Sequence, residues 1–579
     1  MKRTDIIVKQ QYMRNLLPMI FSMLGGTINT FIDSVFVSRI VGSEGLAAVN
    51  MCLPIYLIMC AIGALIGSGA SVQSSHRLGR DNVKGAYRIF HISFTLLISI
   101  GGIITILGCS FCGQIARFLS QNGSLYSYVY DYAFYTFLAC IPNLLVYIAV
   151  DYLQLEGKIH DINIYMTLIV GLDVLFDFVF MSLLHMGMSG AALASLASLS
   201  LSCIYAFVSL SHGFLKLIPK LVKPAFHETH MIVKSGLPIA LGNICDTVKV
   251  FIINSIILRY YGTTNVFVLS ILSSISELSI CITSGVSSAA GPMIANYYSA
   301  RENTSIRSLM KLQFLIGSAL TSGFAICLII FNHPIAMLFS YADSLLLPLL
   351  CLGISCVLDI FGSTYSSYIN MCEKPLIANL LVISRRLLIP VLSIILVFLT
   401  RIYLWSYLPL YALASDVFII IVICVVLIVF RQKEFPLTGM YLLDDHLEKE
   451  NKVLDFSVSP DNISICEAAE QIAEFCQLNK VSTKLTLKLE MAIEEMATIY
   501  VQKNKNLESV DLRAFALPGS TGIRIRCAGI PFNPFEADDD DDMLMGAVII
   551  KKIATVTKYM YVLGLNNISI FFDTSESAE

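Results

Sequence analysis

Charge is what this sequence has least of. Only 14% of its 579 residues are Asp, Glu, Lys or Arg, where soluble globular proteins carry about 25%. So few charges cannot cover a water-facing surface on a chain this long. With 56% hydrophobic residues and a mean hydropathy of +0.74, the apolar excess needs lipid as its solvent. The chain also lacks a second Cys pair. Cys109 and Cys112 form the only CxxC, inside an apolar run, so a structural metal or redox site is not expected and the 16 cysteines read as small apolar side chains. No cleavable signal peptide is expected, because Met1 to Arg14 is polar and basic and no small-residue cleavage site follows the first apolar span. A basic domain is missing too. Residues 441–579 hold 13 Lys and Arg against 23 Asp and Glu, which argues against nucleic acid.

What the chain does have is a series of apolar stretches of about 20 residues, the length of a membrane-crossing helix. They lie near 15–38, 46–71, 89–113, 126–150, 160–184, 189–211, 234–258, 265–288, 310–332, 343–371, 376–400 and 405–430. Twelve spans imply an all-α polytopic membrane protein. If the N-terminus is cytoplasmic, the cytoplasmic segments collect 21 Lys and Arg, counting Arg385 and Arg386, against four in the outer loops. That bias places both termini inside a plasma membrane.

The halves look like a parallel repeat. Leu17-Pro18 corresponds to Leu237-Pro238, Arg80-Asp81-Asn82 to Arg301-Glu302-Asn303, and Tyr152 to Lys158 corresponds to Tyr368 to Lys374. Such halves form two bundles related by an axis along the membrane normal. The expected organisation is residues 1–220 and 221–436 as two six-helix lobes, 437–452 as a linker, and 453–579 as a cytoplasmic α/β sandwich. In that last region Leu454–Val458, Val510–Ala516, Ile523–Cys527 and Ile568–Phe572 read as strands. Ile463–Leu478, Lys484–Val501 and Met545–Val556 read as helices.

The informative membrane residues are carboxylates, because an embedded charge is costly and tends to mark an ion or substrate path. Asp33 is in span 1. Asp173 and Asp177 are in span 5, four residues apart and so on one helix face. Asp246, Glu277 and Asp359 are further candidates in the second half, with Asp416 behind them. Adjacent carboxylates in a low dielectric favour holding a proton or closing on a cation. Lys249 reads as the sole Lys or Arg well inside a span.

Several segments resemble the multidrug and toxic compound extrusion (MATE) transporters. These are Asp33-Ser34-Val35-Phe36-Val37-Ser38-Arg39 with Leu46-Ala47-Ala48-Val49, then Asp173-Val174-Leu175-Phe176-Asp177, and Gly187-Met188-Ser189-Gly190-Ala191-Ala192-Leu193-Ala194-Ser195. The resemblance covers residues 10–432. It implies two six-helix lobes around a central cavity, alternating access by rocking, and export driven by proton or sodium entry. The implied cation site is Asp33, Asp173, Asp177 and Ser195. Asp173 departs from the family's usual Asn, and the extra carboxylate favours a proton or a more tightly charged cation site.

Residues 453–573 resemble the ATPase domain shared by histidine kinases and anti-sigma kinases. Glu494-Glu495, Cys527-Ala528-Gly529 and Gly546 carry the likeness, and they are the residues it implies for nucleotide binding. Ile499 stands where the family has its magnesium-binding Asn, and Cys527 where it has the adenine-reading Asp. ATP is therefore not expected as a cofactor, and no catalytic residue or resident metal is assigned. Asp538–Asp542 reads as a solvated loop. Together these readings describe a cation-coupled exporter of small organic molecules, with a cytoplasmic regulatory domain that binds a protein partner. The alternatives are a lipid-linked saccharide flippase, and a membrane sensor whose C-terminal domain sequesters a regulatory protein.

Overall fold

The structure is a computed structural model. It describes residues 5–399 apart from 121–124, 262 and 339–344, then residues 417, 421 and 425, then 437–573 apart from 439, 440, 442, 445, 505, 506, 518 and 537–543. The expected twelfth span, save three isolated positions, lies outside the described residues, as do Asp416 and Asp538–Asp542.

The first half contains α1 (Ile6–Ile40), α2 (Ser43–Gly63), α3 (Gly69–Gly79), α4 (Val83–Ser110), α5 (Cys112–Ser120), α6 (Tyr126–Leu138), α7 (Cys140–Leu155), α8 (Ile159–Asp177) and α9 (Gly187–Ser211). The second contains α10 (Phe226–Tyr261), α11 (Thr263–Ser299), α12 (Asn303–Ile330), α13 (Asn332–Leu338), α14 (Leu346–Met371), α15 (Pro375–Ile383) and α16 (Ile389–Leu399). Among the described residues, eight helices are long and apolar enough to cross a membrane. They become nine if α6 and α7, bent by 47° at their junction, form one span. Helices α1 and α10, of 35 and 36 residues, coincide with the expected first and seventh spans without belonging to that set. Large apolar side chains such as Ile106, Phe118 and Leu380 point outward and stay exposed, as a lipid-facing surface requires.

Among the described residues, three short π turns interrupt the helices: Ala64–Ser68 between α2 and α3, Phe178–Leu183 after α8, and Ser384–Leu388 between α15 and α16. The last one corrects the sequence reading. Arg385 and Arg386 sit in the middle of the membrane-length helix Pro375–Ile395, not in a cytoplasmic segment. The tally of cytoplasmic bases included them although they fall within the apolar stretch 376–400, and the ion pairs described below compensate their charges there.

The repeat is visible in the backbone. Asp81 and Arg301 both have φ of 56°. Asp81 N–H donates to Leu78 O and Asn82 N–H to Arg77 O, while Arg301 N–H donates to Tyr298 O and Glu302 N–H to Tyr297 O. The same left-handed helix stop therefore recurs 220 residues later. The register of this turn makes Asp81 equivalent to Arg301 rather than to Glu302.

At this end of the molecule the lobes touch. His76 contacts Ser299 Oγ at 2.5 Å, Gln73 donates to Ser235 Oγ at 2.7 Å, and Arg80 pairs with Glu373 at 3.2 Å. The backbones approach so closely that only glycine fits. A Cβ on Gly69 would lie 2.3 Å from Ile232 O, and one on Gly236 would lie 1.9 Å from Leu65 O.

Past the membrane part, β1 (Leu437–Thr438) pairs with β2 (Leu443–Asp444). A five-stranded antiparallel sheet follows, made of β3 (Val453–Val458), β4 (Val510–Leu517), β5 (Ser520–Ala528), β6 (Val556–Val562) and β7 (Leu565–Asp573), in the order β3-β4-β5-β7-β6. Helices α17 (Asn462–Leu478), α18 (Thr483–Lys503) and α19 (Met545–Ile553) complete the region. Asp461 caps α17 by accepting from Ser464 N–H at 2.8 Å. Strand β6 was not expected, because the helix from Met545 was read through to Val556. It ends at Ile553, and the alternating Val556–Val562 segment joins the sheet edge.

On β5, Ile523, Ile525 and Cys527 enter a core with Phe456, Ile493, Tyr500 and Phe572. Each such side chain stabilises by about 1.5–3 kcal/mol. The pleat places Arg524 and Arg526 on the opposite face.

Candidate cation-coupling site

Helix α8 brings Asp173 and Asp177 to one buried face, each 1% exposed. The Asp33 carboxyl of α1 lies within hydrogen-bond reach of both. Asn29, one turn before Asp33, donates to Asp173 Oδ2 at 2.7 Å, and Ser198 of α9 donates to Asp173 Oδ1 at 3.1 Å. Ser195 is also beside Asp173, while its backbone carbonyl accepts from Ser198. The expected four residues are thus brought together. Asn29 and Ser198 were missed, although each stands one helical turn from an expected residue, which is the spacing that puts side chains on one face.

Asp173 has both oxygens satisfied. Asp33 Oδ1 and Asp177 Oδ2, by contrast, are buried without a donor among the described residues, as is Asn29 Oδ1. Facing ionised carboxylates are acceptors only and repel unless a proton or cation sits between them. The three orphan oxygens offer hard ligands for such a guest. Among the described residues, no three His, Cys, Asp or Glu already stand in metal-binding geometry.

The second half is built differently. Asp246 of α10 accepts from Lys249 Nζ at 2.7 Å and from Arg386 Nη1 at 2.5 Å. Asp359 of α14 pairs with Arg385. Glu277 of α11 neighbours the Asp246, Lys249 and Arg386 group. The reading of Lys249 as the sole embedded base is therefore overturned. Three bases stand among the three candidate acids, and two of those acids are directly paired.

A family model, MatE, matches residues 18–179 and 238–395. Its two blocks begin 220 residues apart and cover more than half of the chain. The chain belongs to the MatE family. Members of this family are secondary transporters and not enzymes. The multidrug export protein MepA of Staphylococcus haemolyticus is 26% identical over 330 residues, covering 56% of this chain and 72% of that protein. MepA of Staphylococcus aureus strain MSSA476 is 24% identical over 288 residues, covering 49% and 64%. Against this second relative the match thus spans just under two thirds of its length. Among solved structures, an outward-facing multidrug resistance MATE transporter aligns with a TM-score of 0.66 at 23% identity, over 72% of this chain and 94% of that one. A transporter of the same superfamily from Pyrococcus furiosus aligns with a TM-score of 0.65 at 22% identity, over the same shares. These structures show the helical transporter fold.

The residues proposed for nucleotide binding lie outside the MatE match. Glu494 and Glu495 are exposed on α18. A Cβ on Gly546 would lie 2.0 Å from Glu495 Oε2, and Gly529 has φ of 141° with Asn504 against it. Ile499 and Cys527 are buried in the core. Burial, with the nearby Asp511 carboxylate, pushes the Cys527 thiol well above its usual range, so it stands there as a neutral group.

Proposed function

We propose that this MatE protein is a cation-coupled antiporter that exports small cationic or amphipathic organic molecules by alternating access. The observation that carries this reading is the Asp33–Asp173–Asp177 cluster, with two buried carboxylate oxygens lacking donors. A proton shared among these acids relieves their repulsion, and its release to the other side couples a gradient to substrate movement. Three acids where two are usual favour a proton over sodium. We take the chain to have twelve spans in two lobes, with both termini on the cytoplasmic side of the plasma membrane, supported by the bias of basic residues. Residues 453–573 serve as a regulatory domain of histidine-kinase-like ATPase fold that does not hydrolyse ATP.

The flippase reading gains one observation: Arg385, Arg386 and Lys249 inside the second half suit an anionic cargo better than a purely acidic interior does. Efflux of a cationic dye from proteoliposomes, under an imposed pH gradient or an imposed sodium gradient, separates these readings. Dye movement with the pH gradient supports the proposal. Movement with sodium alone changes the ion, and no movement of dye with folded protein favours the flippase.

A further inference from the structure

The C-terminal sheet is docked across both lobes at the end where they meet. The outward face of β5 carries Arg524 and Arg526. Arg524 pairs with Asp81, in the turn between α3 and α4, at 3.0 Å, and with Glu302, in the turn between α11 and α12, at 3.6 Å. Arg526 holds Glu302 through two nitrogens at 2.6 and 2.9 Å and lies over the Tyr297 ring. Glu302 is 2% exposed. Arg513 of β4 donates to Arg301 O at 2.7 Å. One guanidinium therefore bridges the corresponding turns of the two halves.

The other end of the sheet grips the first lobe. The two-residue turn between β6 and β7, Leu563-Gly564, has φ of 56° and 78°. Leu563 N–H donates to Leu155 O at 2.9 Å, and Leu563 O accepts from Gln11 Nε2 at 2.8 Å and Arg14 Nη2 at 2.9 Å. A Cβ on Gly157 would lie 2.3 Å from Gly564 N. The turn is thus anchored backbone to backbone on one lobe, while the arginines reach across to the other.

We infer that residues 453–573 act as a built-in clasp: the arginine face of the sheet holds the turns around Asp81 and Glu302 together and keeps this face of the transporter shut until the domain lets go. The inference rests on the alternating-access reading, since only a transporter whose lobes separate at this end needs such a hold. Opening this face moves the turn at Asp81 away from the turn at Glu302. Arg524 cannot follow both, so either a buried charge pair breaks or the domain undocks. Breaking such a pair leaves an uncompensated buried charge. The domain's own core uses the opposite face of β5, so changing these arginines leaves that core intact.

The test is a distance measurement on the full chain in proteoliposomes, with genetically encoded spin labels at Lys84 and Arg307, beside the two turns. Wild type is expected to show a dominant short distance with a small, longer open population. R524Q/R526Q is expected to raise the longer, open population about tenfold, the scale of a typical coupling energy, with R524K/R526K in between. D81N/E302Q changes the other side of the contact and is expected to give the same shift, which guards against misfolding of the domain variant. An unchanged distance distribution in both folded variants overturns the clasp. The distance needs neither substrate nor ion. A shift of the distances without any dye transport therefore rejects the export reading while keeping the clasp, and intact transport with fixed distances rejects the clasp alone.

Discussion

The fifth helix of each half is broken by a π turn, and the two breaks carry opposite charges. In the first half, Asp173 and Asp177 precede the turn Phe178–Leu183 and face the Asp33 carboxyl. In the second, Arg385 and Arg386 lie within the turn Ser384–Leu388 and meet Asp359 and Asp246. π turns shift a side chain out of helical register and frequently mark functional sites. The two halves thus carry different electrostatic solutions. Acid against acid leaves two buried carboxylate oxygens without a donor among the described residues, whereas acid against arginine satisfies its carboxylates with fixed cations. The comparison teaches that an embedded carboxylate is informative only once its partner is known.

The largest effect expected from this difference is in coupling. Asp33→Asn removes an acid that touches both others, and gradient-driven transport is expected to fall about 100-fold, measured as initial efflux rate. Next come opposite effects on stability. Arg385→Gln strands Asp359 and is expected to cost about 2–3 kcal/mol, because Arg385 is only 8% exposed. Adding Asp359→Asn should restore most of it. Asp177→Asn relieves repulsion and is expected to leave thermal stability unchanged or higher. Thermal melts in detergent check all three variants, and equal losses on both sides would erase the comparison. Smaller still, Ser198→Ala deletes one donor to Asp173 and is expected to cost about 1 kcal/mol.

A separate effect is read as a slope against pH. Burial pushes Glu156, in the turn after α7, up from its ordinary 4.5 to about 7. The folded state therefore holds this proton more tightly than the unfolded chain. The stability it contributes is complete below pH 4.5 and is lost as pH rises towards 7. Melting temperature against pH is expected to be flatter over that window in Glu156→Gln. A slope identical to wild type would show that Glu156 does not titrate there.

That Asp33, Asp173 and Asp177 stand together was readable in part, because they interrupt long apolar runs and an embedded carboxylate is costly without a partner or a role. Asn29 and Ser198 were not, since Asn and Ser occur in helices for many reasons and only the fold shows where they point. Arg385 and Arg386 were counted with the cytoplasmic bases because their partners, Asp359 and Asp246, are distant in sequence and the pairing is visible only in the fold. The docking of Arg524 on Asp81 joins residues 443 apart, and no local pattern encodes such a contact. The alternation of β5 did encode which face the arginines take.

The most direct test sets the two halves side by side: efflux under a pH gradient for Asp177→Asn and Asp246→Asn in the same vesicles. The account predicts that Asp177→Asn abolishes gradient-driven transport while Asp246→Asn keeps a measurable, gradient-dependent rate. Retained coupling in Asp177→Asn together with lost coupling in Asp246→Asn would contradict it and move the coupling site to the arginine-paired half.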